Sequence, residues 1–208
     1  MSENNRCQAY YDYVESMRHT LGYLSLSELI DIAKRGNVIL DPMSTLISKD
    51  VIIGAQNRFY PNVTIESDEG GRISIGNNNV FFSSTHLLAV QGQIEIGNNN
   101  IIGDGGIRIK ANIDGAHIKI EDDGRYVNNP EIMGTCHFGN GCQILGNITV
   151  QNCVLAGGGS FKSKDPDLRG ALLKGYGLAR NLHLEQGQVI NGRGHFSDDL
   201  IELQSAYH

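Results

Sequence analysis

Lys162, Lys164, Lys174 and Arg180 all fall within residues 162–180 of a chain whose formal net charge is −6. Ammonium and guanidinium groups form charge-assisted hydrogen bonds to oxyanions, so such a cluster in an acidic protein is where a phosphate or pyrophosphate would be met. A solvated basic face is the other reading, and the charges alone leave both open. Proton transfer near neutral pH calls for histidine. Of the seven histidines, three fall in the middle of the chain: His86 in "SSTHLLAV", His117 in "NIDGAHIKI" and His137 in "CHFGN". Cys7, Cys136, Cys142 and Cys153 form no CxxC pair. Four scattered thiols read as small buried side chains rather than a disulfide or metal framework, and no metal is expected.

Composition removes several classes of function. An acidic chain lacks the concentrated Lys and Arg of a phosphate-backbone binder, so no nucleic-acid partner is expected. No apolar run approaches the roughly 18 residues of a membrane span, and "MSENNRCQAYYDY" lacks the basic and apolar regions of a secretory signal. A cytoplasmic protein with no membrane partner is the expectation. Twenty-six glycines and no tryptophan suit a chain that turns every few residues better than a helical bundle.

The elements that must position these groups are written in an internal repeat. "SIGNNNVFF" at 74–82 returns as "EIGNNNIIG" at 95–103, and Ile/Phe-Gly pairs stand at 53–54, 75–76, 96–97 and 138–139. Apolar residues recur every six positions: Ile47, Ile53, Phe59 and Ile65, then Ile75, Phe81 and Leu87, then Ile96 and Ile102. The longest frame runs Ile120, Tyr126, Ile132, Phe138, Ile144, Val150, Ala156. A period of six fits neither a helix nor a simple hairpin strand. It fits a strand-plus-turn unit repeated three times around a triangular coil of about 18 residues, with equivalent apolar side chains stacked inside. The repeated asparagines would then occupy equivalent corners, where Asn accepts left-handed backbone angles and its amide reaches the next Asn. Extra residues are assigned to corner insertions at 67–72, 86–92 and 107–119.

Both ends depart from the repeat. Residues 8–36 have helical spacing, with Tyr10, Tyr11 and Val14 on one segment and Leu26, Leu29, Ile30 and Ile32 on the next. Ser25 and Glu28 form a capping box, and Gly36 stands where a C-cap belongs. Such a pair would cover the open end of a stack. After Ala179 the pattern fades into a paired-strand arm, and "SDDLIELQSAYH" reads as a helix with Ser197 at its N-cap and Asp198 and Asp199 near its positive end. The chain is thus divided into a helical cap (1–36), an all-β solenoid (37–180) and a C-terminal arm with a short helix (181–208).

Three stretches resemble the hexapeptide-repeat acyltransferases. "DPMSTLISKDVIIGAQNRFYPNVTIE" at 41–66 looks like the entry coils of the acetyltransferase half of the bifunctional glucosamine-1-phosphate acetyltransferase/uridylyltransferase. "SSTHLLAVQGQIEIGNNNIIG" at 83–103 is similar to the segment of sugar and xenobiotic acetyltransferases in which a Thr-Asn-His-like triplet precedes an Ile-Gly-x-Asn-x-x-Ile-Gly coil. "ILGNITVQNCVLAGGGSFKSKDPDLRGALLKGYGLAR" at 144–180 resembles the family's exit. There a Gly-Ala-Gly-Ser-like turn, a Lys-Asp-like pair and a Gly-x-Pro-Ala-Lys/Arg element line the coenzyme A groove. The resemblance implies a left-handed parallel β-helix, acetyl-CoA or another acyl-CoA as co-substrate, and a homotrimer with each active site between two chains.

Acyl transfer from a thioester needs a base for the acceptor's proton and donors for the oxyanion, and no covalent enzyme intermediate. By the resemblance, His86 is the base, and Gly157, Gly158, Gly159, Ser160, Lys162, Lys164, Lys174 and Arg180 contact the coenzyme. The sequence departs from the family at Thr85, where Asn is usual before the histidine, and at Leu178, where proline is usual. His137, next to an inward position, is expected to face outward on a flat side, and His117 has no partner pattern. The γ-class carbonic anhydrases share this fold and use three zinc-binding histidines, two of them five residues apart, a spacing missing here. Phe82, Leu87, Leu88 and Leu145 are assigned outward as candidates for the trimer contact. The expected activity is O- or N-acylation, acetyl first, of a sugar, nucleotide sugar or other small polar acceptor; a non-catalytic β-helix scaffold or binding module is the alternative.

Overall fold

A computed structural model describes residues 3–207. Among these residues two helices precede parallel strands that form sheets of 15 and 7 strands. Strands of two to six residues pair with the strand three further along the chain. Arg58–Phe59 lies beside Val80–Phe81, Thr64–Asp68 beside Thr85–Val90, and Arg72–Ile75 beside Gln93–Ile96. Pairing at every third strand produces three ladders, an arrangement consistent with a β-helix-like solenoid. Two of the ladders merge into the larger sheet because Leu172–Arg180 belongs to both: Leu172–Lys174 pairs with Gln143–Leu145, and Gly177–Arg180 with Ile148–Gln151.

The hexad residues are the core. Ile47, Ile65, Leu87, Ile109, Ile132 and Val150 follow one another in register down one ladder, each fully buried. Phe59 stacks on Phe81 with ring centroids 5.1 Å apart. Leu87 was expected outward; it is buried, because in Thr85–Val90 it shares the inward alternation with Thr85 and Ala89 while His86, Leu88 and Val90 face out. Phe82, Leu88 and Leu145 are partly exposed. The frame of six holds from Ile120 to Val150 and then slips. Leu155, not Ala156, takes the next inward strand position, in register with Phe138, since the intervening corner is one residue shorter.

The triple asparagine has a separate reason for each letter. Asn78 and Asn99 have φ of 58° and 60°, the left-handed turn that Asn tolerates. The first asparagines form an outer ladder, with Asn77 donating to Asn98 Oδ1 at 3.1 Å and Asn98 donating to Asp122 Oδ1 at 3.1 Å. The third asparagines form an inner, buried ladder. Asn79 donates to Asn57 Oδ1 at 3.0 Å, Asn100 donates to Asn79 Oδ1 at 3.1 Å, and the Gly124 N–H closes on Asn100 Oδ1 at 2.8 Å.

Helix α1 spans Glu3–Thr20 and α2 spans Leu26–Ala33. The capping box at Ser25 and Glu28 is formed in both directions, and Gly36 has φ of 82° in the turn after the helix. Leu26, Leu29 and Ile32 enter the core, whereas Ile30, Tyr10 and Tyr11 are exposed. Arg18, only 3% exposed, pins α1 down: its guanidinium donates to the carbonyls of Leu24, Pro42, Met43 and Thr45.

All three expected insertions combine strand and turn: the strands Thr64–Asp68, Thr85–Val90 and Ile107–Ala111 run into them and are followed by turns at 69–71, 91–92 and 112–116. At the other end, parallel pairing continues past residue 180, with Gln188–Phe196 lying along Leu172–Arg180. The helix expected from Ser197 does not form. A 3₁₀ turn at Asp198–Leu200 leads to the strand Ile201–Leu203, antiparallel to Gln188–Ile190, and a second 3₁₀ turn at Gln204–Tyr207. Edge pairing overrides local helical preference. Ser197 Oγ bonds the Asp199 carboxylate instead of capping the backbone. His208 lies outside the described residues.

Candidate functional site

His86 stands on the outer face of Thr85–Val90, flanked in register by Thr64 and Arg108. Two residues along the neighbouring strand, Glu66 faces the same way, and its Oε2 lies 2.7 Å from His86 Nε2. The other carboxylate oxygen accepts a hydrogen bond from the Tyr23 hydroxyl. Tyr23 is held between the helices and the first strands by its N–H on Arg18 O and by a bridge to Ser48. Partial burial first, and then the bond to Glu66, push the Tyr23 hydroxyl up to about 12, so it stays a donor across the physiological range. The carboxylate fixes the His86 tautomer with the proton on Nε2, which leaves the Nδ1 lone pair for an incoming proton. Imidazole, carboxylate and hydroxyl therefore come together from three separate segments, with the His86 side chain 36% exposed.

The other two mid-chain histidines also face carboxylates. His137 is exposed, as its position beside Phe138 predicts, and its Nε2 is 2.8 Å from Glu121 Oε1. That bond is the main reason the Glu121 carboxyl lies below its ordinary range. His117 Nε2 is 3.4 Å from Glu95 Oε1 without hydrogen-bond geometry. Among the described residues no group of three His, Cys, Asp or Glu is placed to hold a metal ion. No helix is long and apolar enough to cross a membrane.

The predicted coenzyme residues divide between two faces. In the glycine turn, the Gly158 N–H donates to Asn140 O and the Gly159 N–H to Leu168 O, so both are engaged in holding the loop. Ser160 Oγ accepts from the Lys162 N–H. The Lys162 ammonium lies 5.6 Å from the Phe161 ring centroid, and Lys164 is exposed in the same loop. Phe161 and Lys174 line one cleft of about 370 Å³. Arg180 lies around the corner, on the face shared with His86: Lys174 pairs with Leu145 and Arg180 with Gln151. From the His86 strand to the Arg180 strand there are four ladder steps, about 19 Å at ~4.8 Å per step. Within one chain, His86 and the Lys174 cleft are not adjacent.

Sequence reasoning missed Glu66 and Tyr23, which are 20 and 43 residues from their partners. Stepping one coil back from His86 could have found Glu66; nothing in the repeat points to Tyr23, because it precedes the repeat. Also missed were Arg125, Gln143, Arg169 and Gln204, which line the cleft with Lys174. Comparison of the chain with family models and with curated proteins gave no match.

Proposed function

We propose that this protein is an acyl-CoA-dependent O- or N-acyltransferase built on a left-handed parallel β-helix, with the two helices as its cap and the homotrimer as its working form. The observation that carries the reading is the Tyr23–Glu66–His86 relay, in which the orienting bond between Glu66 and His86 is 2.7 Å long. A base whose tautomer and direction are set by a carboxylate is the arrangement that general-base catalysis requires.

In this reading His86 Nδ1 accepts the proton of the acceptor's hydroxyl or amine, and Glu66 stabilises the imidazolium that results. Tyr23 keeps Glu66 turned toward His86 and satisfies its second oxygen. Acetyl-CoA, when bound, supplies the thioester carbonyl that the acceptor attacks. The loop at Gly157–Ser160 with Lys162, Lys164 and Lys174 on one face, and Arg180 around the corner, would meet its phosphates. A second chain against the flat face would supply what one chain keeps apart, which is why the proposal includes a trimer. The acceptor is a sugar, nucleotide sugar or other small polar molecule.

The separation of Lys174 from Arg180, and the engagement of the Gly158 and Gly159 N–H groups, favour the second reading, a β-helix scaffold without catalysis. Isothermal titration with acetyl-CoA and with free CoA separates the two. The acyltransferase reading expects saturable binding near micromolar, weakened in a Lys174→Glu, Arg180→Glu double variant, followed by turnover in an acceptor screen that His86→Ala abolishes. Absence of binding up to about 1 mM, a binding free energy weaker than about −4 kcal/mol, rejects it.

A further inference from the structure

The cleft on the Lys174 face is a built cavity with unspent polar groups. Its floor is Arg125 and Gln143, paired on adjacent strands, and its roof is Phe161 with Gln204 and Tyr207 from the C-terminal turn. Three cations line it, Arg125, Arg169 and Lys174, with no acidic residue in the lining. Arg125 takes part in no ion pair among the described residues; its guanidinium lies 4.6 Å over the Phe161 ring, and its buried Nε has no hydrogen-bond partner. Gln143 and Gln204 are 3% and 1% exposed, and each has a buried Oε1 without a partner. The Gln204 amide cannot simply be turned over, because its Nε2 donates to Gly170 O at 2.8 Å. A buried donor and two buried acceptors without partners are costly in an empty cavity and become favourable when a ligand satisfies them. Desolvation, and after it the nearby Arg169 charge, hold the Arg125 guanidinium below its ordinary range, which an anion would reverse.

We infer that this cleft binds a small phosphorylated polyol or sugar. Its phosphate would sit against Arg125, Arg169 and Lys174, and its hydroxyls would donate to Gln143 and Gln204. Three cations in a lining that contains no carboxylate match a dianion better than a monoanion. Two unpartnered acceptors favour a ligand that carries hydroxyl donors beside its phosphate, more than inorganic phosphate or a simple carboxylate offers. Leu145, Leu172 and Val189 complete the wall against the ligand's carbon chain. A volume of about 370 Å³ suits a molecule of that size. The inference does not rest on the acyltransferase reading: it is argued from Arg125, Gln143 and Gln204, which that reading does not use, and the two share only Lys174, which each sets against a phosphate.

The test is isothermal titration of the full chain with glycerol 3-phosphate, glycerate, inorganic phosphate and glycerol. Glycerol 3-phosphate is expected to bind saturably, glycerate and phosphate about tenfold or more weaker, and glycerol not at all. Arg125→Gln should weaken glycerol 3-phosphate about tenfold or more. Gln143→Leu, which removes no hydrogen bond within the protein, should erase its advantage over inorganic phosphate. Lys174→Gln, at the rim, provides a second charge variant should Arg125→Gln fail to fold, and thermal melts establish folding of each. Lack of saturation by glycerol 3-phosphate at about 10 mM overturns the proposal, as does equal binding of phosphate and glycerol 3-phosphate by the wild type. If glycerol 3-phosphate does not bind while Arg125→Gln and Lys174→Gln both weaken acetyl-CoA, the cleft belongs to the coenzyme and the separate site is rejected.

Discussion

Replacing Asn79 by leucine tests whether the inner asparagine ladder holds the stack together. The Asn79 amide donates to Asn57 Oδ1 at 3.0 Å and to Gly97 O at 2.8 Å, and its oxygen accepts from Asn100 N at 2.9 Å and Asn100 Nδ2 at 3.1 Å. Leucine has the same number of side-chain heavy atoms and the same branch point, so the change removes polarity without leaving a cavity. Two of the four partners keep another bond: Asn57 Oδ1 still accepts from the residue-79 N–H, and Asn100 Nδ2 still donates to Glu121 O. The Asn100 N–H and the Gly97 carbonyl lose these partners. At about 1–3 kcal/mol for each buried group left unsatisfied, the loss is about 2–5 kcal/mol once the partial exposure near Gly97 is allowed for. For a chain of this size that is a fall in melting temperature of about 5–15 °C. Asn77→Leu is the internal control. Its side chain also bonds within a ladder, to the Ala55 N–H and to Asn98 Oδ1, but it is exposed and water replaces both contacts, for a loss within about 1 kcal/mol. Circular-dichroism melts of the two variants beside the wild type give the comparison. An Asn79→Leu protein that melts no lower than Asn77→Leu would refute the reasoning.

Two further outcomes follow from burial. Cys136 is pushed up to about 11 and Cys142 to about 12 by burial, Cys153 is raised for the same reason, and Cys7 is exposed. A chromogenic aromatic disulfide should therefore modify one thiol per native chain quickly and all four after denaturation, and a second fast thiol would contradict the packing. The Tyr23 hydroxyl, raised from 10.0 to about 12 in the folded state, contributes stability that is fully present below pH 10 and is lost as the pH rises through 12. Tyr23→Phe should flatten the fall of the unfolding midpoint between about pH 10 and 12; an unchanged slope in the variant removes the tyrosine from the account.

Periodicity made most of the interior legible. Ile47, Phe59, Ile65, Phe81, Ile102 and Ile132 are buried in the positions that a step of six assigns them, because each ladder repeats the same inward side chain once per coil. Leu87 was misread only where a suspicion of outer contacts was set against its own frame. Ala156 failed because one corner is a residue shorter, and a frame counted along the chain has no means of detecting a shortened turn. The capping box at Ser25 was readable because it is local, within four residues. The C-terminal helix was not, because its residues are also a strand when a sheet edge is available, and only the completed stack presents that edge to Ile201–Leu203.

The sites divide in the same way. His86 and the cations at 162–180 were visible as residue types, since chemistry restricts which side chains accept a proton or meet a phosphate. What those residues face is a matter of register. Glu66 reaches His86 because one coil separates them, and Tyr23 reaches Glu66 because Arg18 anchors its helix on the first strands. Lys174 and Arg180, six positions apart, are parted by a corner, while Arg125 and Gln204, far apart in the chain, close on one cleft. The amino-acid sequence by itself determined the repeat, its apolar interior and its asparagine corners, because these are properties of a residue and its near neighbours. Tertiary structure alone decided which outward side chains meet, because that depends on the length of every intervening turn and on how the two ends fold back onto the stack.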